Sequence, residues 1–381
     1  MIRRRAGPLL SILAAALLPV ASGASTAPEG RFAPTASTAD SYRPATYDLS
    51  GIAPYKPEAE AIGTIRISGT PLDNLIGTFA NDFKAFHKRV RFTTYLTNTS
   101  QAMAGLVQGT ADVGVMGHRT WLESRHAFHE TYGYEPLEVR FAKGSYDDPK
   151  GSTPGLVFFV HQENPLTSLS LDQIDGIFGA QRTGGWSGLN WNTSVARGPE
   201  GNIRTWGQLG LKGEWANKPI ALHGTDITLS NWSDLIEQVA FHGGTKWNPA
   251  LHEGPRADIL EGNHDRQIVE GVGADKYAIG FMFMRVVNAA GAPVKVLPIA
   301  ITPRNSPVAP SNASFFDSSY PFHNNVYLYL NKPPGKPLPP REREFARFIL
   351  SREGQAIIAA ERRFIPLNAE EIRTELAKLD R

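Results

Sequence analysis

Three short stretches place hydroxyl groups where an extended apolar run gives way to a helical one: Thr70 in "TIRISGTP", Thr99 and Ser100 in "TNTSQAM", and Thr228 and Ser230 in "HGTDITLSNW". The first turn of a helix leaves backbone N–H groups unpaired and carries partial positive charge. In open α/β sheets, ligands bind at the carboxyl ends of the strands. Several such junctions facing one cleft would therefore build a site for an oxyanion. Ser and Thr are also ordinary N-caps, and that explanation suffices for any one junction alone. Thr70-Pro71-Leu72-Asp73 even reads as a capping box, with Thr at the N-cap, Pro at N1 and a carboxylate at N3. Three junctions in one chain bring the binding reading level with the capping one.

Other chemistry has less support. His126 and His129 sit three apart, beside Glu130 and a little after His118, and could share a helix face toward zinc. Such surface helices mostly bind nothing, and no metal site is expected. There is no Gly-x-Ser-x-Gly elbow, so catalysis is not expected, and nothing implies a cofactor. The formal net charge is only +2 and no long basic run exists, which removes the electrostatic case for nucleic acid.

The elements that must hold these hydroxyls follow from periodicity. Thr64–Thr70 alternates as a strand; Leu75, Phe79, Phe83 and Phe86 recur at helical spacing; Val90–Thr97 is a second strand; "SQAMAGLVQGTADVGVM" is a helix, a turn and a strand ending near Met116. This β-α-β-α-β order predicts a parallel sheet with helices on its faces. Further strands are expected in "PGLVFFVH", "PIALHG", "YAIGFMFM", "VKVLPIAI" and "NVYLYLNK", and helices in "SLSLDQIDGIFGA" and "SNWSDLIEQVAF". "FARFILSREGQAIIAAERRFIPL" reads as one amphipathic helix ending in Arg362-Arg363, followed by a short apolar strand. The two arginines suit the negative end of a helix dipole.

The chain has 381 residues, 41% of them hydrophobic and 20% charged, enough for two lobes with cores of their own. Arg3-Arg4-Arg5, the short apolar run Pro8–Val20 and the small residues Ala21–Ala24 form a secretory signal peptide, assigned to residues 1–24. Residues 25–60, rich in Ala, Ser, Thr and Pro, read as a flexible leader. No cysteine is present, so neither disulfides nor a lipid-bearing cysteine is available. The mature protein is expected to be a soluble monomer in the periplasm.

From about Ile65 to Ala369 the sequence resembles the periplasmic phosphate-binding proteins of ABC importers and their PstS-like relatives. The resemblance is carried by "SLDQIDGIFGA" with Trp206 in "TWGQLG", by "ADVGVM", by "YAIGFM" and by "YPFHNNVYLYLNK". It implies a type II periplasmic binding protein: two α/β lobes joined by two crossovers, with a ligand cleft between them. Lobe one would hold residues 61–157 and 300–381, and lobe two 158–299 with an insertion at about 181–204. The last helix would pack on lobe one, with Phe345, Phe348, Ile349 and Ile357 in the core. The implied function is capture of phosphate or a related oxyanion for an ABC permease. The alternative is a PstS-like scaffold repurposed for a secretion, surface or signalling partner.

The resemblance also assigns roles. Thr70, the Thr99-Ser100 pair, Thr228 and Ser230 match its ligand hydroxyls. Departures cluster at the charged positions. After "ADVGVM" the chain has Gly117-His118-Arg119 where many relatives place an Asp or a Ser-Arg pair. The Arg that precedes the family's Gly-Ser-Gly-Thr stretch is Gly224 here, beside His223, and the glycines of that stretch are Ile227 and Leu229. His118, Arg119 and His223 are thus left as candidate cations. Without the acceptor Asp, weak discrimination between phosphate and sulfate is expected.

Overall fold

The computed structural model describes residues 47–146, 155–225, 232–252 and 264–380. The signal peptide, most of the leader, Thr228 and Ser230 lie outside them.

The first run of elements is β1 (Gly63–Gly69), α1 (Asp73–Phe86), β2 (Val90–Tyr95), α2 (Gln101–Val107), β3 (Val113–Met116), α3 (Leu122–Tyr132) and β4 (Leu137–Gly144). The middle holds β5 (Leu156–His161), β6 (Leu169–Ser170), α4 (Leu171–Phe178), β7 (Gly185–Ser187), β8 (Asn190–Asn192), β9 (Ala221–His223), α5 (Trp232–Val239), β10 (Leu251–His252) and α6 (His264–Ala274). It continues through β11 (Ala278–Phe283), α7 (Met284–Ala290), β12 (Val294–Val296) and β13 (Ile299–Ala300). The chain then runs through α8 (Asn312–Phe316), β14 (Asn325–Leu330), α9 (Pro340–Ile349), α10 (Arg352–Glu361), β15 (Phe364–Pro366) and α11 (Ala369–Asp380). No helix among the described residues is long and apolar enough to cross a membrane.

Two sheets organise two α/β lobes. The first has six strands in the order β15-β4-β14-β3-β1-β2, and the second has five in the order β10-β9-β11-β5-β12. In the first, β1 runs parallel to β2 and β3, as the β-α-β-α-β reading requires, while β14 is antiparallel to both β3 and β4. The chain leaves the first sheet after β4, enters the second at β5 and returns at β14.

One face of α1 buries Leu75, Phe79 and Phe83 against Ile65, Ile67, Phe345 and Phe348. Phe86, at the end of the same stripe, is 44% exposed because the helix stops there. The second core gathers Phe158, Phe178, Trp206, Phe241 and Phe281, and also takes in Phe315, Tyr320 and Phe322 from the returning chain. The stretch read as an insertion is pinned to its lobe. It carries the β7–β8 hairpin, and Arg182 holds Asp175 through two hydrogen bonds of 2.7 and 2.8 Å.

The stretch near the carboxyl end departs from the single helix expected of it. It breaks into α9 and α10 at Leu350-Ser351. The Ser351 hydroxyl accepts from the Gly354 N–H and donates to the Phe348 carbonyl, so a cap occupies the middle of the amphipathic pattern. The break also rotates the buried face: Ile358 is fully buried and Ile357 only partly. Arg362 closes α10 in the left-handed conformation, and Arg363 pairs with Glu361.

Candidate functional site

Gly69 ends β1 with φ +137, and a Cβ there would fall 2.0 Å from the Val115 carbonyl oxygen. Only glycine permits that approach. It lets Thr70 N–H donate to Val115 O at 2.9 Å, which seats Thr70 at the carboxyl ends of β1 and β3. The Thr70 hydroxyl accepts the Gly117 N–H at 3.0 Å and lies 3.0 Å from the Thr99 hydroxyl. Three loops thus meet at one point, each following a strand of the first sheet.

This overturns the capping-box reading. Leu72, not Thr70, occupies the N-cap of α1, and no side chain caps it. The Thr70 oxygen is engaged across the sheet instead. Ser100 departs too: its hydroxyl donates to Asn98 Oδ1 at 3.0 Å, the same oxygen that takes the Ser100 N–H. Its local turn absorbs it, and Thr99 alone of that pair reaches Thr70.

The three candidate cations separate. Arg119 follows the Gly117 junction; its Nε donates to Glu138 Oε2 at 3.1 Å and its Nη1 to Gln238 Oε1 at 3.2 Å. Burial works against its charge, but Glu138 and Tyr327 outweigh burial and the net shift favours the charged form. For His118, burial disfavours the charged form. The residue is 5% exposed, and its ring packs edge-on against Trp121 at 4.7 Å. Its Nδ1 meets the Arg119 carbonyl at 2.7 Å, which places the proton there and leaves Nε2 as a buried acceptor without a partner among the described residues. His223 sits on β9 with its ring against Gly271 of α6, where an added Cβ would lie 2.6 Å from His223 Cε1. It does not line the cavity that Arg119 lines, because its ring packs on the helix side of the second sheet.

That cavity lies between the lobes. Arg119, Thr120 and Arg125 wall it from the first, and Trp186, Asp234 and Glu237 are among its walls from the second. Arg125 is paired with Glu135 and Glu138, and Glu138 also accepts the Tyr329 hydroxyl at 2.9 Å. Glu138 is held below the usual carboxylate range by the two arginines, against the opposing effect of burial. Across the cleft the balance reverses. Burial pushes Asp234 up to about 6 and Glu237 up to about 7. Asp234 accepts from Gln238 Nε2, and Glu237 from Trp247 Nε1, each at 2.6 Å.

Sequence reasoning passed over Glu138, Arg125, Asp234, Glu237 and Gln238. Asp234 and Gln238 are four apart in a helix that the sequence does signal, so they share a face. That spacing was a readable clue. Glu138 carried none, since its role depends on arginines in separate segments.

Residues 55–353 match a family model described as a PBP superfamily domain. The phosphate-binding protein PstS of Pseudomonas aeruginosa is 28% identical over 304 residues, covering 80% of this chain and 83% of that protein. Protein SphX of Synechococcus elongatus is 22% identical over 292 residues, covering 76% and 73%. Among solved structures, PstS from Borrelia burgdorferi aligns with a TM-score of 0.50 at 14% identity, covering 80% of this chain and 99% of that one, a likeness of fold.

Proposed function

We infer the function from one premise: the chain belongs to the PBP superfamily. It is a solute-binding protein that captures phosphate or a related oxyanion for ABC import, and it is not an enzyme. The observation that carries this reading is the meeting of Thr70, Thr99 and the Gly117 N–H, with Arg119 two residues on. Hydroxyls that both donate and accept can turn toward a ligand oxygen, and a guanidinium fork supplies the counter-charge. Thr228 and Ser230 complete the site from the second lobe in this proposal. His118 positions the loop through its Nδ1 contact with the Arg119 carbonyl. Closure of the lobes on the anion would present one surface to the permease. The signal peptide directs the chain to the periplasm, where it acts as a soluble monomer; mass spectrometry of the mature protein should find residues 1–23 removed.

The test is calorimetry of purified, ligand-stripped protein with phosphate and sulfate, alone and for Arg119→Ala. Binding that weakens in the variant supports the reading. Absence of binding at millimolar concentration overturns it.

One observation favours a second reading, the repurposed scaffold. Arg119 and Arg125 already have carboxylate partners, and the facing wall of the cleft is acidic. A cleft in which no oxyanion binds, together with secretion genes beside this one, would establish the scaffold.

A further inference from the structure

The cavity between the lobes is poorly suited to a bare anion and well suited to a different part of a solute. Asp234 and Glu237 stand on its second-lobe wall, and Glu138 holds Arg119 from the first. A dianion placed among them would face carboxyl oxygens on two sides, which costs free energy in a partly dehydrated cleft. A neutral, hydroxyl-bearing skeleton would not. Hydroxyl protons can be donated to Asp234, Glu237 and the Gln238 side-chain oxygen, and hydroxyl oxygens can accept from Arg119.

Two further observations point to a ligand. Thr120 lines the cavity and is 3% exposed, yet its hydroxyl has no hydrogen-bond partner among the described residues. A buried hydroxyl left unpaired carries a desolvation cost that a ligand hydroxyl would relieve. Trp186, brought to the cavity by the β7–β8 hairpin, is half-buried and braced edge-on by Trp191 at 5.2 Å and by His126 at 5.9 Å. An indole fixed at a cavity wall offers an apolar surface to the C–H groups of a ring or chain.

We propose that this cavity is a subsite for the hydroxylated carbon skeleton of a phosphate ester, a sugar phosphate or a polyol phosphate. Thr120, Trp186, Asp234, Glu237 and Gln238 contact the skeleton there. The phosphate group occupies the Thr70–Thr99–Gly117 junction, and Arg119 of the cavity wall lies in the same loop as Gly117. The proposal rests on the oxyanion reading of that junction and names the solute class it serves.

Calorimetry of the full mature chain, stripped of ligand, with inorganic phosphate, glucose 6-phosphate, glycerol 3-phosphate and free glucose separates the two ideas. At least one ester should bind about tenfold tighter than inorganic phosphate. Trp186→Ala should cut that advantage to nearly nothing. Thermal melting checks that the variant folds, and Gln238→Ala provides a second variant that should reduce the ester advantage. If phosphate binds and the esters bind no tighter, the subsite is overturned while the oxyanion reading stands. If esters or glucose bind in a Trp186-dependent way and phosphate does not, the subsite is supported and capture of the bare oxyanion falls. If nothing binds at millimolar concentration, both are overturned.

Discussion

Arg119 and Gln238 bridge the two lobes: the guanidinium Nη1 donates to the Gln238 side-chain oxygen at 3.2 Å, from the loop after β3 to the last turn of α5. The same guanidinium gives its Nε to Glu138 within the first lobe. Its two partners differ in how readily a ligand can displace them. Glu138 is a buried carboxylate whose charge the arginines sustain. Gln238 is a neutral acceptor, so an arriving anion competes with the weaker of the two bonds.

Arg119→Ala should therefore cost oxyanion binding more than it costs the fold. A hydrogen bond to a charged group contributes on the order of 1.5–3 kcal/mol, so phosphate affinity should fall at least about tenfold. Titration calorimetry reads this directly. Unchanged affinity would remove Arg119 from the site and leave the hydroxyl junction to act alone.

The acidic wall gives the fold a distinct pH response. Burial raises Glu237 to about 7 and Asp234 to about 6 in the folded protein. A carboxyl with a raised folded pKa keeps its proton where the unfolded chain has lost it. Its contribution is complete below the unfolded pKa and is lost as pH rises through the folded one. Glu237→Gln retains an acceptor for Trp247 Nε1 but cannot ionise. Between pH 5 and pH 8 the melting temperature of the wild type should fall relative to that of the variant. Parallel melting curves over that range would contradict the assignment.

Lys143 ties the returning chain to the first sheet. It is fully buried on β4 and donates to the carbonyls of Phe315 and Phe316 and to the Ser318 hydroxyl, and it pairs with Glu371 at 2.8 Å. Burial lowers its pKa to about 8. Lys143→Met leaves these acceptors unmatched and should destabilise the protein by roughly 3–5 kcal/mol. Glu371 also holds Arg140 at 3.3 Å and accepts from the Ser318 hydroxyl and the Asn368 N–H, so Lys143→Met with Glu371→Leu should cost more than the single change. Urea unfolding of both variants checks the order.

What could be read from the residues, and what could not, divides along sequence distance. The α1 stripe and the parallel pairing of β1 with β2 and β3 rest on patterns a few residues long, and the structure bears them out. The meeting of Thr70 with Thr99 follows from that parallel order, since both loops leave the same edge of adjacent strands. The failures need distant partners or competing caps. β4 mixes Glu138, Arg140 and Lys143 into an apolar run, and burial of Arg140 and Lys143 makes sense only once Glu371 and Glu375 of α11 are beside them. His118 looks cationic by type, and only its burial, invisible in the sequence, works against that charge. The break before α10 was signalled by Ser351, but the amphipathic period runs through it and concealed the cap.

The hydroxyl junction itself can be dissected. Thr70→Val keeps the side-chain volume and removes the oxygen that accepts from Gly117 N–H and meets Thr99. An unpaired buried N–H costs about 1–3 kcal/mol, so this variant should lose stability as well as phosphate binding. Thr70→Ser restores the oxygen and should recover most of both. Thr99→Val leaves the Gly117 bond in place. It should weaken phosphate binding with a smaller loss of stability, because only one hydroxyl contact is removed. Chemical denaturation and calorimetry on the three variants separate the two roles. Phosphate binding unaffected by both valine changes would make the junction a structural tie between β1, α2 and β3, and the anion would have to be sought elsewhere in the cleft.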